Sequence, residues 1–145
     1  MDNRFQRTRL LLGDDGFAKL QKAHVAVFGL GGVGSYAAES LARSGVGEMT
    51  IVDFDTVNPT NINRQNIALE STVGLSKSQA MADRIKQINP ECKLNVINKF
   101  YEEANSDEIL TSDFTAVIDA IDTFNSKMKL LIDCYDKKIP IFSAM

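Results

Sequence analysis

Residues 29–34, Gly-Leu-Gly-Gly-Val-Gly, have a spacing that suits binding of a phosphate. Gly29, Gly31 and Gly34 fit the pattern G-x-G-x-x-G, in which one glycine makes a tight turn, one lets the backbone approach a phosphate, and one lets a helix pack closely on a strand. The apolar run 25–28 precedes the motif and an amphipathic segment follows it. A helix that begins here offers unpaired N–H groups and a partial positive charge to an anion.

Asp53 follows a second apolar run, residues 49–52, at about the sequence distance expected of a ribose-binding acid. Together with the glycine motif, this spacing predicts a nucleotide-binding β-α-β unit. The motif alone does not decide which nucleotide is bound.

The polar stretch 54–66 is longer than the handful of residues that a β-α connection needs, which indicates a functional loop. Farther along, Ser76 and Gln79 have the spacing of a capping box at a helix start. Lys77 then falls in the first helical turn, where a cation opposes the helix dipole by roughly 0.3–1 kcal/mol. A bound anion would reverse that cost, and the alternative is a lysine that extends into water.

A triphosphate carries more charge than a dinucleotide pyrophosphate and usually recruits cations and Mg²⁺. Asp53 could hold ribose hydroxyls, Arg64 and Lys77 could reach phosphates, and Asp122 could hold Mg²⁺. Hydride transfer commonly uses a histidine acid or base, and the sole histidine, His24, is expected to be a packing residue. The pattern therefore favours ATP over NAD.

Apolar runs alternate with helical patterns along the whole chain. This alternation predicts a doubly wound, mostly parallel, Rossmann-like α/β sheet of strand order 3-2-1-4-5 with an N-terminal helical arm. Such a sheet binds ligands where its order reverses, between the first and fourth strands, which would place Asp119 and Asp122 beside residues 29–34. The strands are expected near 25–28, 49–52, 94–96, 116–118 and 139–142.

The expected helices begin with a short one from Asp14 or Asp15 to Ala23. The helix after the glycine motif should end at Gly45 or Gly47, and the next should span about 76–89. Residues 101–113 are expected to form a solvated connection with a short helical turn. The last helix should carry on one face Phe124, Met128, Leu131 and Tyr135.

The bulk composition is that of an ordinary globular domain: 145 residues, 44% hydrophobic, 24% charged and a net charge of -3, which gives no general reason to expect nucleic-acid binding. No apolar run approaches the ~20 residues that span a bilayer, and the first residues lack an apolar signal core, so a cytoplasmic location is expected. Cys92 and Cys134 are expected to be free thiols.

Five motifs in order, residues 29–35, 51–55, 61–65, 73–77 and 119–122, resemble those of the ThiF/MoeB/HesA adenylyltransferases, relatives of ubiquitin-activating enzymes. The resemblance covers essentially all of residues 1–145, whereas family members continue beyond that length. It implies an ATP-binding adenylation domain, expected to be a fragment that lacks the C-terminal substrate or partner part. Residues 4–11, 88–92 and Lys127 further resemble the tRNA threonylcarbamoyladenosine dehydratase subgroup.

The resemblance also implies roles for residues. Gly31 and Gly32 would lie against ATP, Asn61 and Arg64 would bind ribose and phosphates, Lys77 a phosphate and Asp122 Mg²⁺. The implied nucleotide-binding set is Gly29, Gly31, Gly32, Gly34, Asp53, Asp55, Asn61, Arg64, Lys77 and Asp122. The implied catalytic set is Arg7, Arg64, Lys77 and Asp122.

In the dimeric members of this family an N-terminal arginine reaches into the neighbouring active site, which implies a homodimer with Arg7 donated in trans. Arg4 and Arg9 are expected to be solvated. The implied reaction is ATP-dependent activation of the threonyl carboxylate of threonylcarbamoyladenosine at position 37 of tRNA, followed by cyclising dehydration.

Two alternatives remain open. In the first, the activated carboxylate is the C-terminal glycine of a ubiquitin-like sulfur-carrier protein, with a sulfur-relay partner. In the second, the chain is an NAD-binding or non-catalytic Rossmann module, which only the glycine motif and Asp53 support. Any tRNA-contacting segment and any later cysteine would lie beyond Met145, and the fragment alone is expected to bind nucleotide weakly and not to turn over.

Overall fold

The computed structural model describes residues 4–144. Its strands are β1 (His24–Phe28), β2 (Glu48–Val52), β3 (Lys93–Ile97), β4 (Ala116–Asp119) and β5 (Ile141–Ser143). Its α-helices are α1 (Gln6–Lys22), α2 (Gly34–Ser44), α3 (Lys77–Ile88), α4 (Ser106–Ile109) and α5 (Phe124–Asp136). Two 3-10 helices, Pro59–Asn61 and Glu103–Asn105, lie in the connections that follow β2 and β3.

The five strands form one parallel sheet in the order β3-β2-β1-β4-β5, which confirms the predicted order. The order reverses between β1 and β4. Immediately beyond these strands, the N–H of Ala120 donates to the carbonyl of Phe28 over 2.8 Å, so the chain segments that leave β1 and β4 are held side by side.

Helices cover both faces of the sheet, as a doubly wound fold requires. Every residue of β1 is buried, and the side chains alternate between the two faces. Val25 and Val27 pack into a core with α2 and α3, whereas Ala26 and Phe28 pack into a core with α4 and α5. Burial on both faces explains why the central strands consist of continuous apolar runs.

The helix boundaries largely follow the sequence signals. α2 ends at Gly45, whose φ of 97° suits the left-handed conformation of a helix terminus. α3 begins after Ser76, whose hydroxyl accepts the N–H of Gln79 over 3.2 Å. The predicted capping box is only half formed, because the Gln79 amide donates to Asp83 (2.7 Å) and does not return to the helix start.

α1 begins earlier than predicted. It spans Gln6–Lys22 with an interruption at Gly13, where φ is 72° and ψ is 172°, so the predicted helix from Asp14 corresponds to its second half. Arg9 pairs with Asp14 across this interruption at 2.5 Å, and its guanidinium lies 5.8 Å from the ring centroid of Phe17. Arg9 is therefore at the surface, as expected, but is paired there with Asp14.

Both ends of α1 lie at the amino edge of the sheet. The carbonyl of Leu20 accepts the N–H of Gly47, just before β2, and the guanidinium of Arg4 donates to the carbonyl of Ile88, at the end of α3. Arg4 is exposed but bonded, so its predicted solvated state was only partly correct. Arg7 is exposed on the same helix, at the edge opposite to the carboxyl ends of the strands.

The connection from β3 to β4 is not solvated as predicted, because Tyr101 and Leu110 are buried in the core beside α5. α5 also differs from expectation, since Phe124 and Tyr135 are 72% and 84% exposed. The buried face of α5 carries Leu130 and Cys134 together with polar residues that hydrogen-bond inside the core.

The remaining expectations concern single residues. His24 is buried, contacts the ring of Phe114 and hydrogen-bonds to Asp113 and Thr50, which is a packing role. Cys92 and Cys134 are free and buried, and burial raises the pKa of each thiol to about 11. Among residues 4–144, no helix is long and apolar enough to cross a membrane.

Candidate functional site

A cleft of about 600 Å³ opens at the carboxyl edge of the sheet, where the strand order reverses. This is the position that the topology predicted for a ligand. Of the predicted site residues, the cleft brings together Gly29, Gly31, Gly32, Asp53, Asp55, Asn61, Arg64, Lys77 and Asp122. Gly34 lies behind the glycine turn, and Arg7 lies at the other edge of the sheet.

The fold itself requires two of the glycines. Gly29 has a φ of 85°, and a Cβ there would lie 2.6 Å from the carbonyl oxygen of Ala120. A Cβ on Gly34 would lie 1.7 Å from the carbonyl oxygen of Gly29, so α2 can approach the end of β1 only with glycine at this position. These contacts match the turn and packing roles that the spacing predicted.

Gly31 and Gly32 face the cleft and have more room. A Cβ on either would meet nothing nearer than 3.6 Å, which is ordinary van der Waals contact. The protein alone therefore does not need glycine at these positions, although a ligand lying against the backbone would. No side chain of the described residues caps the start of α2, so the helix N-terminus is open to an anion.

Asp53 is 8% exposed and ties the glycine turn to the end of β2. Its Oδ2 accepts the N–H of Leu30 at 2.7 Å, and its Oδ1 accepts the N–H of Asp55 at 2.8 Å. Burial raises the pKa of the Asp53 carboxyl above its ordinary value, and these N–H donors oppose that shift. The carboxylate therefore positions the backbone as well as offering its remaining lone pairs to a ligand.

Lys77 is not a solvated lysine. Its side chain is 8% exposed, and Nζ lies 3.2 Å from Oδ2 of Asp55, whose own side chain is half exposed. The backbone N–H of Lys77 also donates to the carbonyl of Asp55 at 2.9 Å. Asp55 thus holds the lysine at the start of α3 with its charge directed into the cleft.

Asn61 and Arg64 come from the loop after β2. The amide oxygen of Asn61 accepts the N–H of Asn58 at 2.9 Å, which closes a turn and buries Asn61 in the cleft wall. Arg64 is exposed and lies over Gly32, and its guanidinium donates to the Thr60 carbonyl and the Asn63 amide oxygen. Both acceptors are neutral, so no carboxylate among residues 4–144 balances the positive charge of Arg64.

Asp122 is an exposed carboxylate at the rim of the cleft, three residues beyond the end of β4. Within residues 4–144, no hydrogen bond or ion pair occupies its oxygens. Because one carboxylate together with phosphate oxygens and water suits Mg²⁺, Asp122 fits the predicted metal-binding role.

Several cleft residues were missed from the sequence. Gln65 is 5% exposed, and its Oε1 has no partner within the described chain. Phe54 and Phe100 pack edge to face with ring centroids 4.9 Å apart, and Lys127 reaches the rim from α5. The signal for Gln65 and Phe54 was their position directly beside Arg64 and Asp53.

Comparison with protein families gives a match to the ThiF family model over residues 5–145. The chain belongs to the ThiF family. Among ThiF-family relatives, it is 46% identical over 145 residues to the tRNA threonylcarbamoyladenosine dehydratase of Bacillus subtilis (strain 168), covering 100% of this chain and 57% of that protein. It is 34% identical over 143 residues to the molybdopterin-synthase adenylyltransferase of Salmonella typhimurium, covering 97% of this chain and 57% of that protein.

A solved ThiF-family structure has the same fold. The E. coli tRNA threonylcarbamoyladenosine dehydratase in complex with ATP superposes with a TM-score of 0.95 at 44% identity, covering 97% of this chain and 58% of that one. The chain spans a little over half the length of these ThiF-family relatives.

Proposed function

We propose that this ThiF-family chain is the ATP-binding adenylation domain of a tRNA threonylcarbamoyladenosine dehydratase. The observation that carries the proposal is the cleft at the strand-order reversal, where an uncompensated Arg64 and a buried Lys77 flank a glycine turn. The 46% identity to a named dehydratase and the likeness to a dehydratase that binds ATP supply the substrate class. The domain would occupy residues 1–145 of a longer cytoplasmic protein.

In this proposal the phosphates of ATP lie against the backbone of Gly31 and Gly32 at the start of α2. The helix N-terminus and the cations of Arg64 and Lys77 offset the phosphate charge. Asp53 and Asn61 line the adjoining wall and would form hydrogen bonds with the ribose. The volume of about 600 Å³ is within the range of small-molecule sites.

Asp122 is the residue that would hold Mg²⁺, because its oxygens have no other partner in residues 4–144. The metal would neutralise phosphate charge when bound. No group of three or more His, Cys, Asp or Glu side chains within the described residues could form a metal cage. A single protein carboxylate is nonetheless the usual arrangement where phosphates and water complete the shell of Mg²⁺.

The proposed reaction begins when an oxygen of the substrate carboxylate attacks the α-phosphorus of ATP. An O–P bond forms, the bond from the α-phosphorus to the bridging oxygen breaks, and pyrophosphate leaves with that electron pair. Negative charge grows on the phosphoryl oxygens, and Arg64 and Lys77 are positioned to stabilise it. Catalysis is then mainly positioning and electrostatics, with no covalent enzyme nucleophile.

In the second step, an atom within the modified nucleoside attacks the acyl carbon of the adenylate. The new bond closes a ring, the attacking atom gives up its proton to solvent, and the bond from the acyl carbon to the phosphate oxygen breaks and releases AMP, which carries away the carboxylate oxygen. The sum over both steps is loss of water from the substrate and conversion of ATP to AMP and pyrophosphate. Residues of the cleft would need only to hold the adenylate away from bulk water.

We further propose that Arg7 acts in trans in a homodimer. α1 lies at the amino edge of the sheet, whereas the cleft opens at the carboxyl edge, so Arg7 does not line the cleft of its own chain. Its exposed position on α1, beside the exposed Leu10 and Leu11, leaves it available to a second copy.

A second candidate keeps the same chemistry but activates the C-terminal glycine of a ubiquitin-like sulfur-carrier protein, with or without a sulfur-relay partner. The 34% identity to a molybdopterin-synthase adenylyltransferase favours this alternative specifically. The residues of the cleft do not distinguish the two carboxylate substrates, because their proposed contacts are with the nucleotide.

ATP–pyrophosphate exchange by the intact protein separates these candidates. Three substrates are compared: tRNA that carries threonylcarbamoyladenosine, the same tRNA without the modification, and a small sulfur-carrier protein. Exchange only with the modified tRNA supports the dehydratase, whereas exchange with the carrier supports the second candidate. Absence of exchange with all three, for a folded dimer, contradicts both.

A further inference from the structure

Asp119 and Lys127 form an ion pair at the rim of the cleft, between the end of β4 and the first turns of α5. Asp119 is completely buried, and its Oδ2 accepts hydrogen bonds from Nζ of Lys127 at 2.6 Å and from the hydroxyl of Ser143 at 2.7 Å. Its Oδ1 accepts the N–H of Ile121 at 3.0 Å. One carboxylate therefore joins a helix, the last strand and the turn that leads to Asp122.

The ammonium of Lys127 is engaged by acceptors within its own chain. Besides Asp119, Nζ donates to the carbonyl of Ala144 at 2.7 Å and lies 3.4 Å from Oγ of Ser143. An ammonium has three N–H donors, and Asp119 and Ala144 take two of them at short distance, with Ser143 near the third. The side chain is only 13% exposed although it reaches the cleft. Lys127 thus differs from Arg64, whose acceptors within the described part of the chain are neutral.

The turn that Asp119 anchors is in contact with the glycine turn. The N–H of Ala120 donates to the carbonyl of Phe28. The carbonyl oxygen of Ala120 lies so close to Gly29 that a Cβ at position 29 would overlap it. A shift of residues 120–122 would therefore displace Gly29 and Asp122 together.

We propose that Lys127 is a positioning residue for the cleft. It neutralises the buried Asp119 and so holds residues 120–122 against the glycine turn, and it ties the chain at Ser143 and Ala144 to the rim. The nucleotide readout of this inference rests on the proposed function, because ATP is the probe. Removal of the lysine alone leaves a buried carboxylate without its cation, which is strongly unfavourable, whereas removal of both charges together is often tolerated.

The test compares Lys127→Met, Lys127→Arg and the double variant Asp119→Asn/Lys127→Met in the intact protein. Lys137→Met is the matched control, because it breaks an exposed ion pair with Asp107 at the end of the same helix. The dissociation constant for ATP is measured well below each thermal midpoint, so that every variant is folded. Amide hydrogen exchange of Ile121 and residues 29–33 reports the two turns directly.

We expect Lys127→Met to weaken ATP binding by about tenfold or more, because it would misplace groups that bind the nucleotide. The same variant should show faster amide hydrogen exchange at Ile121. Lys127→Arg and the double variant should stay within about threefold of wild type in ATP binding, with slow exchange, because neither leaves an unpaired buried charge. The Lys137→Met control should match wild type in both measurements.

Two results would overturn the proposal. One is a double variant that binds ATP as weakly as Lys127→Met while its exchange rates equal those of wild type, since Lys127 would then contact the nucleotide itself. The other is Lys127→Met with wild-type affinity and exchange. If Lys127→Met does not fold, a folded double variant with slow exchange and an ATP affinity within about threefold of wild type supports the proposal, and fast exchange or weaker binding refutes it. If wild type does not bind ATP, the proposed function fails, and the exchange rates still decide the positioning role.

Discussion

Replacement of Gly32 by alanine separates the requirements of folding stability from those of nucleotide binding. Its φ lies outside the left-handed region, and a Cβ there would meet Arg64 at 3.6 Å, an ordinary contact. Gly→Ala at an unstrained position typically raises the free energy of unfolding by about 0.4–1 kcal/mol. Gly32→Ala should therefore fold with unchanged or slightly higher stability.

The same change at Gly34 should have the opposite result. Its Cβ would lie 1.7 Å from the carbonyl oxygen of Gly29, and that oxygen belongs to backbone that the end of β4 holds in place. The overlap cannot be relieved by a side-chain rotation. We expect Gly34→Ala to lower the free energy of unfolding by more than about 4 kcal/mol, in the exceptional range for single substitutions.

Urea denaturation and calorimetric titration with ATP test both variants. In Gly32→Ala, the methyl group should displace a phosphate from the backbone, and loss of one hydrogen bond to a charged group costs about 1.5–3 kcal/mol, or about 10- to 150-fold in Kd. A folded Gly32→Ala protein with the wild-type Kd for ATP would refute the placement of phosphate at this turn. A Gly34→Ala protein of normal stability would refute the packing argument.

Three further predictions concern charges. Arg64→Ala should lower the rate of ATP–pyrophosphate exchange by about 10²–10³, the cost of removing one charge-stabilising donor, and a loss under threefold would contradict its role. Mixing Arg7→Ala with Asp122→Ala protein should restore part of the activity through mixed dimers, and failure to do so despite subunit exchange would argue against donation in trans. Arg84 and Arg43 hold the pKa of Glu39 below its ordinary value of 4.5. Glu39→Gln should therefore cost about 1–3 kcal/mol of stability at pH 7. That difference should shrink in urea melts as pH falls below about 4.5, because the contribution of a carboxyl with a lowered pKa is present above its unfolded pKa and lost as it protonates. A constant difference from pH 7 to pH 3 would contradict this assignment.

The sheet and the place of the cleft could be predicted from the sequence because both follow from periodicity. Continuous apolar runs at 25–28 and 49–52 require a strand buried on both faces, and right-handed crossovers then fix the strand order. The topological rule for ligands placed Asp122 beside the glycine motif before any contact was known.

The prediction of the buried face of α5 was wrong because polar residues pack on that face. The face of α5 named from its apolar spacing includes Phe124, which is 72% exposed, while Ser126 and Asp133 are buried. Ser126 donates to the carbonyl of Tyr101 at 2.8 Å, and Asp133 accepts the hydroxyl of Tyr101 at 2.6 Å. Apolar spacing cannot find a buried face whose polar groups satisfy one another within the core.

The ion pairs of the cleft also could not be predicted from the sequence. The dipole argument suggested an anion near Lys77, and the structure supplies one from within the protein, since Asp55 lies 3.2 Å from Nζ. Nothing in the spacing of residues 55 and 77 indicates that contact, because it depends on how the loop 54–76 folds back onto α3.

The glycine turn cannot form from its local sequence. Its first glycine is confined by Ala120, and the next residue, Leu30, donates its N–H to Asp53, so segments that are distant in sequence close the turn from two sides. Because contacts of this range must first overcome loop-closure entropy, the turn should become ordered only when β1, β2 and β4 have paired. A nucleotide would then stabilise only completely folded molecules, by about 2.7 kcal/mol at a concentration one hundred times Kd. Partly folded chains, in which the turn has not closed, would gain no such stabilisation.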